Sequence, residues 1–334
     1  MAERSTVSTA MRPLVGVIAL LALAWSLAQA DDENPQADAK AWLAATKQAV
    51  SHLNYRGTVA HLKDNRIESL QVLHRMSNGV EQERLLSVNT PMREVIRNAE
   101  KVTCYFPDSR SMSVETKPLR QSFLLDLPTD LTALSRHYTL SLGGTEHVAQ
   151  RLARLVRIDP LDDYRFGRRI WVDVESKLPL KYELIDENGQ VVEQMVFNSL
   201  SVEDSIPAQE LSASTQFDGS WKVKQHETLP ADSLIWTLDG VPDGFQMMSY
   251  TRLKRGPGNR AIDHILLSDG FSSVSIYIDE LMNEFFTAQP RKVGGINSYT
   301  RKLDKYLVTV MGEVPAKTVQ SIANGIHQQD PYRK

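Results

Sequence analysis

Apolar residues at Trp42, Ala45, Ala49 and Leu53 recur at three- and four-residue spacing behind Pro35 and Asp38. This spacing predicts an opening helix with one apolar face, which needs a sheet to cover. The rhythm then changes. From Tyr55 to about Thr116 the chain offers short β-branched and aromatic segments at 55–63, 69–76, 84–88, 93–97, 102–106 and 112–116. Between them stand Asp64-Asn65, Ser77-Asn78-Gly79, Asn89-Thr90-Pro91, Asn98-Ala99 and Pro107-Asp108-Ser109, residue types that turn the backbone by mechanisms of their own. Strands at this pitch predict an antiparallel meander joined by hairpins.

The interval from Ser122 to about Gly144 breaks the pattern with a short helical turn at 128–134 among several leucines, and suggests a lid or plug. Strands resume at 147–159, 168–175, 180–186 and 191–200, with Glu187-Asn188-Gly189 as a hairpin signal between the last two. A single sheet of this many strands is expected to curl rather than stay flat. With a helix across its mouth, it leaves an interior. Residues 206–220 are polar and small, with little periodicity, and read as an interdomain linker. Beyond it, strands at 221–224, 245–255, 261–269, 272–279, 298–303 and 306–311 precede a helical stripe of Val319, Ile322 and Ile326. The expected fold class is therefore α+β and mainly β, with a curled antiparallel sheet first and a smaller antiparallel sheet with a packed helix second.

The first thirty residues stand apart. Arg4 and Arg12 precede an apolar run from Leu14 to Leu27, and Ala28-Gln29-Ala30 follows. This is the three-part layout of a secretory signal; an uncleaved N-terminal anchor is the other reading of the same stretch. The expected organisation is a signal peptide at 1–30, a first domain at 31–205, a linker at 206–220 and a second domain at 221–334.

Composition narrows the chemistry. Hydrophobic residues make up 42% and charged residues 24%, which suits a soluble globular chain. With 38 basic and 41 acidic side chains the net charge is −3, far from the basic excess that displaces counterions from nucleic acid. Cys104 is the only cysteine, so no intramolecular disulfide, zinc ribbon or Cys-x-x-Cys pair can form. In an exported chain it reads as a buried, inert thiol, with a reactive or intermolecularly paired one as the alternative. The eight histidines show no His-x-x-x-His pair, and neither a Gly-x-Ser-x-Gly elbow nor a phosphate-binding Gly-Lys-Ser/Thr loop is present. Gly256-Pro257-Gly258-Asn259-Arg260-Ala261 resembles a dinucleotide fingerprint, but a strand follows where a helix is required. Acidic neighbours at Asp162-Asp163 and Asp279-Glu280 are accounted for as solvated turn charges. No catalytic residue, metal or cofactor is expected.

Two features point to binding. Residues 31–210 carry 15 arginines against 7 lysines, and arginine forks onto phosphates and carboxylates. Arg165, Arg168 and Arg169 fall within five positions; cross-strand ion pairing with the 27 acidic residues of the same stretch is the alternative use. The segment from Leu70 to Met76 is apolar on both faces, which fits a sheet with a helix on one side and either packed core or a cavity on the other.

Several stretches resemble the RseB/MucB family of periplasmic regulators of the envelope-stress sigma factor. They are Tyr55-Arg56-Gly57-Thr58, Leu70 to Arg75, Arg93 to Arg97, Cys104 to Asp108, Asp159 to Gly167, and Trp171-Val172-Asp173 with Leu178-Pro179-Leu180. In the second half, Val241 to Phe245, Leu267 to Phe271 and Gly312 to Pro315 match as well. The resemblance implies an N-terminal unclosed antiparallel β-barrel with helices, similar to lipoprotein carriers, and a smaller C-terminal domain that contacts the partner. It implies a periplasmic protein, not an enzyme, that binds the periplasmic region of a membrane anti-sigma factor of the RseA or MucA type. The partner is thereby shielded from the site-1 protease, and lipopolysaccharide or another acyl lipid releases it. Self-association is a further expectation, and a periplasmic lipid or lipoprotein carrier is the alternative function. For the lipid, Arg165, Arg168 and Arg169 are expected at the rim and Leu70, Val72 and Trp171 in the wall. For the partner, Lys254, Arg255 and Arg260 in one hairpin, with Tyr299, Arg301 and Lys302, are the candidates.

Overall fold

The computed structural model describes Met1 and residues 35–89, 92–116, 122, 124, 125, 127, 128, 130–225, 227–255, 260–280 and 287–329. The leader read at residues 1–30 lies, Met1 excepted, outside the described residues. Helix α1 (Pro35–His52) is followed by β1 (Asn54–Lys63), β2 (Arg66–Ser77), β3 (Val80–Ser87), β4 (Glu94–Asn98), β5 (Lys101–Phe106) and β6 (Ser111–Thr116). Next come β7 (Tyr138–Val148), β8 (Arg151–Pro160), β9 (Gly167–Asp173), β10 (Pro179–Ile185), β11 (Val191–Glu203) and β12 (Lys222–Gln225). All twelve strands form one sheet in the order β12-β6-β5-β4-β3-β2-β1-β11-β10-β9-β8-β7, antiparallel except for the β12–β6 pair. Its ends, β12 and β7, are not paired with each other, so the sheet is unclosed.

Helix α1 makes the sheet curl. Ala39 and Leu43 pack against Tyr138, Leu140, Val156, Ile158, Ile170 and Val172 of β7 to β9. One end further on, Ala49 and Val50 pack against Tyr55, Val59, Leu70 and Val72 of β1 and β2. Ala39 to Val50 rise about 16 Å along a helix, whereas the six strand steps from β2 to β7 lay out about 29 Å when flat. One short helix reaches both only if the sheet bends around it. The buried stripe is Ala39, Leu43, Thr46, Ala49 and Val50, rotated from the apolar stripe read in the sequence. Thr46 fits there because its hydroxyl donates to the Trp42 carbonyl at 2.9 Å.

The segment read as the start of a linker is docked on the first sheet. Ile206 and Leu211 are buried, Arg75 Nε donates to the Ile206 carbonyl at 2.9 Å, and Arg56 Nη1 donates to Glu210 at 2.7 Å. Buried Glu94 accepts from the backbone N–H groups of Ser214 and Thr215, both at 3.0 Å, and from Arg84 Nε at 2.8 Å. Burial alone would raise this carboxyl; those donors outweigh it and hold it below the usual range. Residues 222–225, read as the first strand of the second domain, instead extend the edge of the large sheet as β12.

The remainder contains β13 (Glu227–Thr228), β14 (Trp236–Leu238), β15 (Gln246–Arg255), β16 (Arg260–Ser268), β17 (Ser273–Glu280), β18 (Gln289–Val293), β19 (Ile296–Leu303), β20 (Tyr306–Gly312), α2 (Ala316–Asn324) and β21 (Ile326–Gln328). Seven strands form a second, antiparallel sheet in the order β13-β15-β16-β17-β20-β19-β18, and β14 pairs with β21. On β17 the residues alternate strictly, with Val274, Ile276 and Ile278 buried against Val319, Ile322 and Ala323 of α2. Burying each such side chain stabilises the fold by about 1.5–3 kcal/mol. The protein is thus mainly β, with one large unclosed sheet, a smaller C-terminal sheet and one helix packed on each.

Candidate functional site

The two sheets meet at a clasp built from stretches that carry the family resemblance. Asp269 sits in the β16–β17 turn, where its Oδ1 accepts the N–H groups of Phe271 at 3.0 Å and Ser272 at 2.7 Å. Its Oδ2 accepts Tyr138 Oη at 2.8 Å and Arg165 Nε at 2.6 Å from the large sheet. Arg165 also pairs with Asp162, donates to the Asp243 carbonyl, and lies 4.8 Å from the Phe245 ring centroid. Arg168, equally buried, donates to the Phe271 carbonyl at 2.9 Å and to Ser272 Oγ at 3.0 Å.

Beside this clasp lies a cavity of 370 Å³, walled by Leu70, Leu85, Leu124, Leu125 and Met195 of the first domain and Phe271 of the second. His61, Lys63 and Arg93 line it and also an adjoining groove of 750 Å³ that reaches Ile67, Met92 and Phe106. Its charged floor is a chain of pairs: His61 Nε2 to Glu193 Oε1 at 2.7 Å, Lys63 Nζ to Glu193 Oε2 at 2.9 Å, and Lys63 Nζ to Glu313 Oε1 at 2.7 Å. Burial works to raise the Glu193 carboxyl, yet the bonds from His61 and Lys63 bring it down to about 2. Tyr182, on the same wall, is pushed up by burial and stays a neutral phenol. The arrangement is a mixed lining, in which leucines, Met195 and Phe271 stand beside paired charges of both signs.

A second surface adjoins it. Helix α2 takes one face of the C-terminal sheet, and α1 is engaged on the large sheet. The other face of the C-terminal sheet carries a row running directly across five strands: Thr251, His264, Tyr277, Thr309 and Thr300. The His264 and Tyr277 rings stack at 4.5 Å, and His264 Nε2 lies 3.1 Å from Ser275 Oγ. Half-buried Leu266 and Met311 flank the row, and Ser268 and Ser273, at its lower edge, line the cavity. The open face and the cavity are therefore one continuous surface.

The residues singled out from sequence divide among these places. Leu70 lines the cavity, and both Leu70 and Val72 pack under α1. Arg168 reaches the cavity while holding the turn of the second sheet; Arg165 is wholly committed to the clasp. Arg169 and Trp171 point the other way, because successive residues of β9 alternate faces. Arg169 pairs with Asp159 at 2.7 Å, and Trp171 packs with Val148, Ala153 and Leu180 on the outer face, under the Lys181 ammonium at 4.0 Å. In the second domain, Arg301 donates to the Ala323 carbonyl at 2.6 Å and to that of Ile326, closing the end of α2, and Tyr299 packs in the same core. Lys302 is exposed. The side chains of Lys254, Arg255 and Arg260 lie outside the described residues, as do residues 256–259. His61, Lys63, Glu193, His264 and Tyr277 were not singled out; the alternation of Ser273, Ser275, Tyr277 and Asp279 on β17 was the signal that could have found the open face. Burial pushes the Cys104 thiol up, away from the reactive thiolate. Among the described residues, one His/Glu group has metal-like spacing, His74, Glu81 and Glu83, and Arg97 already supplies it with a cation.

Comparison with known proteins decides the family. The family model for the MucB/RseB N-terminal domain matches residues 38–215, and that for the MucB/RseB C-terminal domain matches 230–327. The chain belongs to the MucB/RseB family. The sigma-E factor regulatory protein RseB of Escherichia coli is 26% identical over 282 residues, 83% of this chain and 87% of that protein. The sigma factor AlgU regulatory protein MucB of Pseudomonas aeruginosa is 26% identical over 311 residues, 89% and 93% of the two chains. Among solved structures, MucB in the Pseudomonas aeruginosa MucA/MucB complex superposes with a TM-score of 0.72 at 22% identity, covering 88% of this chain and 99% of that one. MucB in complex with periplasmic MucA gives a TM-score of 0.69 at 23% identity, covering 88% and 100%. These superpositions establish a shared MucB fold, and the curated relatives are regulatory proteins.

Proposed function

We propose that this chain is an exported, periplasmic regulator that binds the periplasmic region of a membrane anti-sigma factor of the MucA or RseA type and hinders its first proteolytic cut. The observation that carries this reading is family membership across both domains, with relatives named as regulators of sigma-E or AlgU. The two-domain division belongs to the same proposal, with the boundary drawn after β12 rather than within 206–220.

The partner surface is the open face of β15, β16, β17, β20 and β19 centred on His264 and Tyr277. Rigid strands present there a flat array of hydroxyls, a stacked aromatic pair and apolar side chains, and an extended or helical segment can bury these without displacing anything. Exposed Lys302, on the same face, supplies a basic border, and Lys254, Arg255 and Arg260 stay proposed as partner residues on the sequence alone. The ligand that releases the partner is an acyl lipid with an anionic headgroup, held by Leu70, Leu85 and Met195 within and by Lys63, Arg93 and Arg168 at the charged end. Each buried methylene adds about 0.8 kcal/mol. Because Ser268 and Ser273 serve both surfaces, occupancy of one alters the other, which is all that antagonism between lipid and partner requires.

Titration calorimetry with a MucA-type periplasmic segment tests the surface. Tyr277→Arg should weaken binding at least tenfold while leaving the far-ultraviolet spectrum unchanged; unchanged affinity removes the open face as the site. The apolar cavity also favours a second reading, a lipid carrier. A carrier would take up acyl lipid yet show no affinity for the segment.

A further inference from the structure

Arg168 lines the cavity and is buried, yet every atom it donates to is neutral: the Phe166 carbonyl at 3.1 Å, the Phe271 carbonyl at 2.9 Å and Ser272 Oγ at 3.0 Å. No carboxylate pairs with it among the described residues; Asp269, bonded to Arg165, and Glu313 act on it from further off. Glu313 follows β20 in the second domain and reaches Lys63 of β1, whose Nζ lies 2.7 Å from Glu313 Oε1 and 2.9 Å from Glu193 Oε2. Lys63 lines both the groove and the cavity, whereas Arg168 and Glu313 line the cavity. An anion entering from the groove therefore meets Lys63 first, and finds a carboxylate already on it.

We propose that Glu313 is an internal competitor for the anionic headgroup: its carboxylate holds the Lys63 ammonium until a headgroup takes its place between Lys63 and Arg168. The inference rests on the lipid site proposed above and assigns its regulation. Of the two carboxylates on Lys63, Glu313 is the one free to leave. Its side chain is 35% exposed and Lys63 is its one ion-pair partner among the described residues, whereas Glu193 is 12% exposed and also bonded by His61. Lys63 thus exchanges Glu313 for a headgroup without losing Glu193. A phosphate monoester suits the exchange, because its several acceptor oxygens can take an ammonium and a guanidinium together. The exchange also breaks an ion pair between the two domains. That pair lies at the end of β20, the strand that carries Thr309 and Met311 of the open face, so headgroup binding in the cavity is felt on the partner surface.

Titration calorimetry at constant pH tests this on the full chain and on Glu313→Gln, which keeps the side chain's shape and removes its charge. The probes are decyl phosphate below its micelle concentration, 1-decanol and inorganic phosphate. The variant should bind decyl phosphate roughly tenfold more tightly or better, and 1-decanol within about twofold of the unaltered protein. Unchanged or weaker affinity for decyl phosphate overturns the proposal. An equal gain for 1-decanol overturns it too, because a loosened cavity rather than a freed ammonium would then be the cause. Should both proteins bind decyl phosphate no more tightly than inorganic phosphate, the acyl-lipid reading itself fails, and the competitor role falls with it.

Discussion

Arg165 Nε and Asp269 Oδ2 lie 2.6 Å apart with neither side chain exposed, although one residue precedes β9 of the large sheet and the other turns between β16 and β17 of the small one. Asp269 accepts bonds from its own turn and from the opposite sheet at once, so the conformation of the turn and the docking of the two sheets are a single arrangement. The arginine-rich character of the N-terminal half has its explanation here and in the docked segment at 206–215: Arg56, Arg75, Arg84 and Arg165 are spent on internal fastening rather than on an anionic ligand.

Replacing one partner of this clasp should be costly. Asp269→Ala leaves a buried guanidinium with Asp162 as its remaining carboxylate, and breaking a buried pair in this way costs about 3–5 kcal/mol. Urea unfolding should show the small sheet melting at lower denaturant than in the unaltered protein. A midpoint within error of the original would contradict the clasp as a fastening of the two sheets.

Gly244 gives a steric test of the same place. Its φ of +87° is one that side chains other than glycine rarely adopt, and an added Cβ would stand 2.4 Å from His137 Nε2 and 2.8 Å from Arg165 Nη2. Gly244→Ala should therefore destabilise by about 2–3 kcal/mol, combining backbone strain with displaced clasp groups. Gly79→Ala, also at positive φ but with open space around it, should cost no more than about 1 kcal/mol. Equal losses at the two positions would show that close approach at Gly244 plays no part.

Glu193 sets an acid limit. Its carboxyl is held near 2, below the ordinary value of 4.5, so its contribution is complete above about pH 4.5 and is lost as pH falls through about 2. The shift corresponds to about 3 kcal/mol. Chemical unfolding at neutral pH and at about pH 3 should therefore show a smaller acid loss in Glu193→Gln than in the parent, with the variant the less stable at neutral pH. Parallel acid profiles for the two proteins would remove this role.

How far the sequence revealed this structure depends on turn chemistry. Hairpins at Asp64-Asn65, Asn78-Gly79 and Asn188-Gly189 were legible because those residue types tolerate or favour positive φ, as Asp64, Asn65, Asn78, Gly79 and Gly189 do here. The β7–β8 turn was not. It uses Ala149 and Gln150 at φ of 50° and 63°, so the stretch at 147–159 read as one strand and most of β7 was taken for part of a lid. The two-residue β13 and the fully exposed β18 were missed because neither buries an apolar set that would give a period. For the site, apolar strand positions such as Leu70 were legible, whereas the pairing of Lys63 with Glu313 joins residues 250 positions apart and has no local signature. Tyr299 and Arg301 drew attention as a basic and aromatic cluster, but alternation along β19 sends them toward α2 and its core, leaving Lys302 on the open side.

Shielding of a membrane anti-sigma factor from its first cut is read directly as the cleavage rate of a MucA-type periplasmic segment by site-1 protease as this protein is added. Cleavage should slow in a saturable manner by at least tenfold, and recover when lipopolysaccharide is supplied. A rate that stays unchanged at saturating protein would contradict the account.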